Sequence, residues 1–279
     1  MLKKNIYVIF VFFIFISCSN RESSTVIKLA HSLDVSHPVH KAMVFMSEKV
    51  KEKSGGRMIV DIYPGGQLGN ERELIELLQI GSLAMTKVST APLEGFIPDM
   101  KIFGMPYLFH DNQHRWNILN GPIGKKLLVS GESYFLKGMC YYDAGSRSFY
   151  TKNRPIKTPS DLKGMKIRVQ KSQTSINMVK SLGGSATPIP WGELYTSLQQ
   201  GVVDGAENNP PSFHLSKHYE VCKFYSLDEH TSIPDVLIMS THVWNSLSNE
   251  EKVWLQSSID ESVVYQRQCV GSCSAEQIR

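Results

Sequence analysis

The sequence predicts an α/β protein of two lobes that face each other across a crevice. Three observations lead there. From residue 26 onward, short β-like runs alternate with amphipathic helical stretches, the grammar of an α/β chain. The same order of strands and helices returns in the second half. The 279 residues, rich in aliphatic and aromatic side chains, are also enough to build two modest cores.

Val26 to Ala30 reads as a buried strand. Val39, Met43, Met46 and Val50 then recur on one helical face, and Gly55-Gly56 closes that helix. Met58 to Tyr63 predicts the next strand, and Pro64-Gly65-Gly66 the turn after it. Asn70 followed three residues later by Glu73 forms a capping pair for a helix whose stripe is Leu74, Leu77 and Leu78. In the second half, Lys137 to Ala144 and Ser148 to Thr151 read as strands. Thr158-Pro159-Ser160-Asp161 supplies an N-cap, a first-turn proline and an early acid. Lys166 to Val169 is a short strand; Gln173 to Leu182 is a helix closed by Gly183-Gly184; Trp191 to Gln200 is a helix closed by Gly201. Ser248 and Glu251 form a capping box for a long last helix with Leu255, Ile259 and Val263 inward. That helix is expected to break at Cys269-Val270-Gly271-Ser272-Cys273. Two lobes of this kind make their crevice the natural ligand site.

Ahead of the lobes, Met1 to Cys18 reads as an export signal, with Lys3 and Lys4 before the apolar run Ile6 to Ile16. Eleven apolar residues fall short of the roughly 20 that span a bilayer. Phe15-Ile16-Ser17-Cys18 resembles a bacterial lipoprotein processing box with Cys18 acylated, although Phe15 stands where leucine is usual. Residues 19–25 then form a polar tether to the membrane. Without the two leader lysines, 28 basic residues face 26 acidic ones, too even a balance to recruit nucleic acid. Cys140, Cys222, Cys269 and Cys273 are scattered and suggest neither a disulfide framework nor a zinc site.

No nucleophile elbow, phosphate loop, dinucleotide fingerprint or metalloprotease helix is present, and no cofactor or metal site is expected. His37 with His40, and His110 with His114, lack neighbouring carboxylates in a metal pattern and read as surface or packing residues. Two arginines stand apart. Arg147 lies among small neighbours in Ala144-Gly145-Ser146-Arg147-Ser148, and Arg168 points opposite to Ile167 and Val169 on its strand. A guanidinium fork matches a carboxylate, although taken alone each arginine reads as a solvated charge. Asp204-Gly205-Ala206-Glu207-Asn208-Asn209-Pro210-Pro211 is dense in amides at a strand end and reads equally as a ligand-fixing segment or a decorated loop. Trp191 reads equally as a lid over a sugar ring or a core anchor.

Several motifs in order then carry a family resemblance. They are Tyr63-Pro64-Gly65-Gly66-Gln67-Leu68-Gly69, Ala144-Gly145-Ser146-Arg147, Asp161 through Val169, Trp191-Gly192-Glu193-Leu194-Tyr195, and Leu198 through Asn208. The chain resembles the solute-binding subunit of TRAP (tripartite ATP-independent periplasmic) transporters, which capture organic acids and pass them to a membrane carrier. The resemblance implies a two-lobed periplasmic-binding-protein-like fold, a ligand cleft between the lobes, and hinge-crossing strands and a helix. It implies binding without catalysis. It assigns the substrate carboxylate to Arg168, supported by Arg147 and positioned by Asn208, with Trp191 against the ligand. Glu71, Ser89 and His31 match cleft-lining positions of the first lobe, and Asp235 follows the second crossover. Lobe I is expected over 26–144 plus about 233–249, and lobe II over 145–232 plus about 250–279. Relatives continue beyond the place where this chain stops, so either a truncated C-terminus or a short hinge helix is expected.

The polar group Glu71, His31 and Ser89 suits a hydroxylated acid such as a uronate or aldonate, with a C4-dicarboxylate as the alternative ligand. A ligand sensor serving a signalling receptor is the alternative role. The expected location is the periplasm or cell surface, with a lipid anchor.

Overall fold

The structure, a computed structural model, describes residues 24–276, with side chains as far as Cys269. Cys18 and the leader lie outside them. Two five-stranded sheets organise the chain. The first takes β1 (Thr25–Ala30), β2 (Met58–Tyr63), β3 (Met85–Ser89), β4 (Leu136–Tyr142) and β10 (Asp235–Ser240) in the order β2-β1-β3-β10-β4. The second takes β5 (Arg147–Thr151), β6 (Lys166–Val169), β7 (Ser185–Pro188), β8 (Gly205–Asn208) and β9 (Phe224–Thr231) in the order β7-β6-β8-β5-β9. Each sheet is parallel on one side and turns antiparallel where the chain crosses over: β10 against β3 and β4, β5 against β8 and β9. Residues 143–146 and 232–234 carry those two crossings.

Lobe I folds for local reasons. Helix α1 (Pro38–Lys53) buries Val39, Met43, Met46 and Val50, so its apolar stripe lies on the sheet rather than in water. His37 is its N-cap, the ring accepting the Val39 N–H. Helix α2 (Glu71–Gln79) opens with the reciprocal capping box of Asn70 and Glu73, satisfying donors a helix start leaves bare. Just before it, Gly69 has φ +123°, and a Cβ there would stand 2.7 Å from Glu73 Oε2; only glycine admits the box. The short helix α3 (Thr90–Leu93) continues straight from β3, and α4 (Asn112–Asn120) and α5 (Pro122–Val129) cover the lobe's far side.

Lobe II is smaller, with α6 (Gln173–Ser181), α7 (Leu194–Gln199) and α8 (Pro210–Leu215) around its sheet. Helix formation after Pro190 begins one turn later than its sequence suggests: Trp191–Glu193 is a 3-10 turn and α7 starts at Leu194. Phe149, Ile167 and Val169 fill one core of this lobe, and Tyr150, Leu194 and Leu198 fill another.

Helix α9 (Thr241–Ser246) precedes the last helix, α10 (Asn249–Glu276), where two expectations are corrected. The backbone stays helical through Cys269–Cys273 to Glu276 instead of breaking there. The helix also lies on lobe I, not lobe II. Leu255 and Ile259 enter the same core as Val39, Met43 and Met46. Tyr265 stacks on Phe45 of α1 with ring centroids 4.6 Å apart, and Tyr142 shares a 2.7 Å hydrogen bond with Ser262. The inward residues were correctly placed; what they pack against follows from the tertiary fold. Gln266 then pairs its side-chain amide with the backbone N–H and C=O of Asp143, pinning the first crossing to lobe I.

Candidate ligand-binding site

Between the lobes lies a cavity of about 390 Å³. Its lobe I wall is the Gly65-Gly66 and Gly69–Glu73 segment, and its lobe II wall is Arg168, Gln170 and Ile189–Glu193. A smaller recess of about 40 Å³ shares Ser32, Glu71, Gln170 and Trp191 with it and reaches Lys87, Ser89, Arg147, Asn208 and Asp235. All the residues singled out from the sequence except His31 and Cys18 therefore converge here. A larger groove of about 920 Å³ lies elsewhere, beside the crossings, around Asp111, Arg115, Asp143 and Arg267. It holds none of those residues.

The two arginines are held differently. Arg147, on β5, pairs through Nε and Nη2 with the Glu207 carboxylate and gives further bonds to the Glu207 carbonyl and to Asn208 Oδ1. Burial opposes its charge, but Glu207 overrides this and raises its pKa. The partner gains equally: burial pushes the Glu207 carboxyl up, yet Arg147 and His230 hold it down at about 2. One Nη1 hydrogen of Arg147 is left for the cleft. Asn208 Oδ1 accepts from Arg147 and from the Asn209 N–H, so its two Nδ2 hydrogens are free to donate.

Arg168, on β6, is among the largest fully buried side chains, at 2 % exposure. Its Nε donates to the Ile189 carbonyl at 2.9 Å, and its Nη1 is buried with no hydrogen-bond partner among the described residues. The guanidinium lies 5.9 Å from the Trp191 ring centre, within cation–π range. Among the described residues, no carboxylate forms an ion pair with it. Burial accordingly dominates and lowers its pKa. A buried charge without a partner is costly.

Opposite, Lys87 of β3 sits 3.0 Å from Asp235 Oδ2 and 3.5 Å from Glu71 Oε1. Burial works against its ammonium charge, and Asp235 and Glu71 together raise its pKa in spite of that. Glu71, the more distant partner, is governed by burial and its carboxyl is pushed up. Lys87 escaped the sequence reading because it lies on a strand buried on every residue, where a lysine is least expected. Only its place between two acids marks it.

His31 is corrected. It is fully buried and lines neither cavity. Its Nδ1 accepts the Leu33 N–H, which obliges Nε2 to carry the proton and donate to His40 at 3.0 Å. Burial and then Lys87 lower its pKa to about 3. His37, unassigned from sequence, lines the recess with Nε2 3.5 Å from Ser212 Oγ, and burial lowers its pKa to about 4. Both histidines bind fewer protons folded than unfolded, so they favour the folded state above pH 6.5 and cease to do so as the pH falls toward 4. Stability against urea is expected to be insensitive to these rings between pH 8 and 7 and to decline below 6.5. A His31→Gln, His37→Gln double variant should decline less steeply.

The chain matches the family described as bacterial extracellular solute-binding protein, family 7, over residues 29–278. It belongs to that family. The members are the DctP-type solute-binding proteins of TRAP transport, which bind rather than transform their ligands. A solved TRAP periplasmic solute-binding protein from Bradyrhizobium sp. BTAi1, in complex with galacturonate, is 41% identical; the match covers 90% of this chain and 84% of that one, with a TM-score of 0.88. A second, from Anaerococcus prevotii with bound glucuronate, is 36% identical over 91% of this chain and 83% of the other, with a TM-score of 0.89. The C4-dicarboxylate-binding periplasmic protein DctP of Rhodobacter capsulatus is 30% identical over 86% of this chain and 72% of its own length. This family 7 protein is thus a periplasmic solute-binding protein with the two-lobed fold of TRAP receptors.

Proposed function

We propose that the cleft captures a sugar acid, most simply a hexuronate, with Arg168 as the carboxylate anchor, and delivers it to a TRAP membrane carrier. One observation carries this reading: Arg168 is buried without a carboxylate partner among the described residues, whereas Arg147 and Lys87 are already ion-paired. A ligand carboxylate at Arg168 restores the missing charge, and Asn208 Nδ2 and the last Nη1 hydrogen of Arg147 stand ready on the adjoining wall. Each charge-assisted bond contributes about 1.5–3 kcal/mol, so two or three supply much of the roughly 8 kcal/mol of a micromolar ligand.

The opposite wall favours hydroxyls over a second carboxylate. Glu71 and Asp235 set two carboxyl groups against the single ammonium of Lys87. Hydroxyls can donate to the acids and accept from the lysine. A second carboxylate would meet like charge there. The solved relatives that hold galacturonate and glucuronate support the same choice. The Rhodobacter relative, named for C4-dicarboxylates, makes that class the alternative. Tethering through an acylated Cys18 belongs to the same proposal and rests on Phe15-Ile16-Ser17-Cys18.

A thermal-shift series separates these ligands. At about 100 times its dissociation constant, a ligand stabilises by roughly 2.7 kcal/mol. D-galacturonate or D-glucuronate is expected to raise the melting temperature, and succinate to leave it unchanged. Stabilisation by succinate and not by either uronate would transfer the proposal to the dicarboxylate class.

A further inference from the structure

The β3–α3 turn of lobe I grips the β6–α6 turn of lobe II at two places. Strand β3 runs into α3 without a linker, so Ser89 at the cleft and Glu94 just past α3 move as one piece. Inside the cleft, Ser89 Oγ donates to Gln170 Oε1 at 3.2 Å. Farther out, the backbone N–H of Thr174, in the first turn of α6, donates to Glu94 Oε1 at 3.0 Å. The approach there is tight: a Cβ on Gly104 would stand 2.9 Å from Thr174 Cγ2 and 3.1 Å from its Cβ. Glu94 Oε2 is buried with no hydrogen-bond partner among the described residues. Glu94, Gly104 and Thr174 line neither ligand cavity.

We infer that Glu94, seated against the first turn of α6 beside Gly104, sets ligand affinity as a closure contact that never touches the ligand. A carboxylate at a helix start meets unsatisfied N–H groups and the positive end of the helix dipole. Glu94 and Thr174 belong to different lobes, so this bond exists only while the lobes are together. Everything that stabilises the closed arrangement multiplies the apparent affinity of a ligand enclosed by it. Because release requires the lobes to part, losing the contact speeds dissociation and leaves association to the open cleft alone. Gly104 serves the same contact by letting Thr174 approach; a methyl group there would wedge the lobes apart.

The inference rests on the cleft being the binding site, and D-galacturonate is the probe. In stopped-flow fluorescence, Glu94→Ala is expected to raise the dissociation rate about tenfold, with the association rate within about twofold of the parent. Gly104→Ala should act in the same direction, and Glu94→Gln, which keeps an acceptor but not the charge, should fall between. The melting temperature without ligand should stay unchanged, and the ligand-saturated one should drop. Unaltered dissociation from both Glu94→Ala and Gly104→Ala overturns the inference. So does an equal loss of melting temperature with and without ligand, because it marks a structural role inside one lobe. If the parent protein binds no acid in the thermal-shift series, the binding reading itself has failed; failure of the closure contact alone leaves parent binding intact.

Discussion

Replacing Arg168 with alanine is expected to raise the dissociation constant for the proposed acid ligand by at least about thirtyfold, or about 2 kcal/mol, in titration calorimetry. The estimate follows from what the side chain lacks. Its Nε is spent on the Ile189 carbonyl, and among the described residues its Nη1 has no partner and no acid pairs with it. An entering carboxylate loses its own hydration, and that cost is recovered only by charge-assisted bonds. Arg147 cannot substitute, because Glu207 and Asn208 already hold most of its donors. Arg168→Lys should also weaken binding, since an ammonium cannot present two parallel N–H groups. The ligand-free protein responds in the opposite sense. Removing an unpaired buried charge is expected to leave its melting temperature unchanged or raise it. Equal affinity in Arg168→Ala and the parent would remove this residue from the site.

Glu207→Ala is expected to cost about 3–5 kcal/mol of folding free energy in urea denaturation, the range for breaking a buried ion pair from one side. Arg147 is 4 % exposed and Glu207 1 %, so the abandoned guanidinium would lose its counter-charge where little water reaches it. Ligand affinity should fall as well, because Arg147 loses the anchor that aims its remaining hydrogen. Replacing the pair together, as Arg147→Met with Glu207→Leu, should recover much of the stability while leaving binding poor. The same pair predicts a pH response. The Glu207 carboxyl is held near 2 in the fold, below its ordinary value of about 4.3. Its contribution is complete above that ordinary value and is lost as the pH falls from there toward 2. A shallower acid transition in the double variant than in the parent would check this. A stable Glu207→Ala protein would show that Arg147 finds water or another acid.

Sequence periodicity located those elements whose stability is local. The Val39–Val50 stripe, the Asn70–Glu73 capping box and the Lys166–Val169 strand appear where their residues place them. Strands β3 and β10 were not legible, because every residue of both is buried and the alternation that marks a half-exposed strand is absent. The candidate cleft residues divide along the same line. Arg147, Arg168 and Asn208 drew notice as unusual types among small or turn-forming neighbours, and the family resemblance named their roles. Lys87 and His37 carried no such mark, and His31 carried a misleading one, since its ring is consumed by Leu33 and His40.

The sequence by itself determined the α/β alternation, the helix caps, the inward faces of the helices and the family, because each depends on neighbours within a few residues or on motifs in fixed order. Only the tertiary structure decided which lobe the last helix joins, that Lys87 stands between Glu71 and Asp235, and which arginine remains unpaired. The physical reason is that pairing and desolvation are set by groups far apart in the chain. Arg147 meets Glu207 across 60 residues, and Lys87 meets Asp235 across two sheet-switching crossings. A charge reveals its partner, or the want of one, only after the strands are laid side by side.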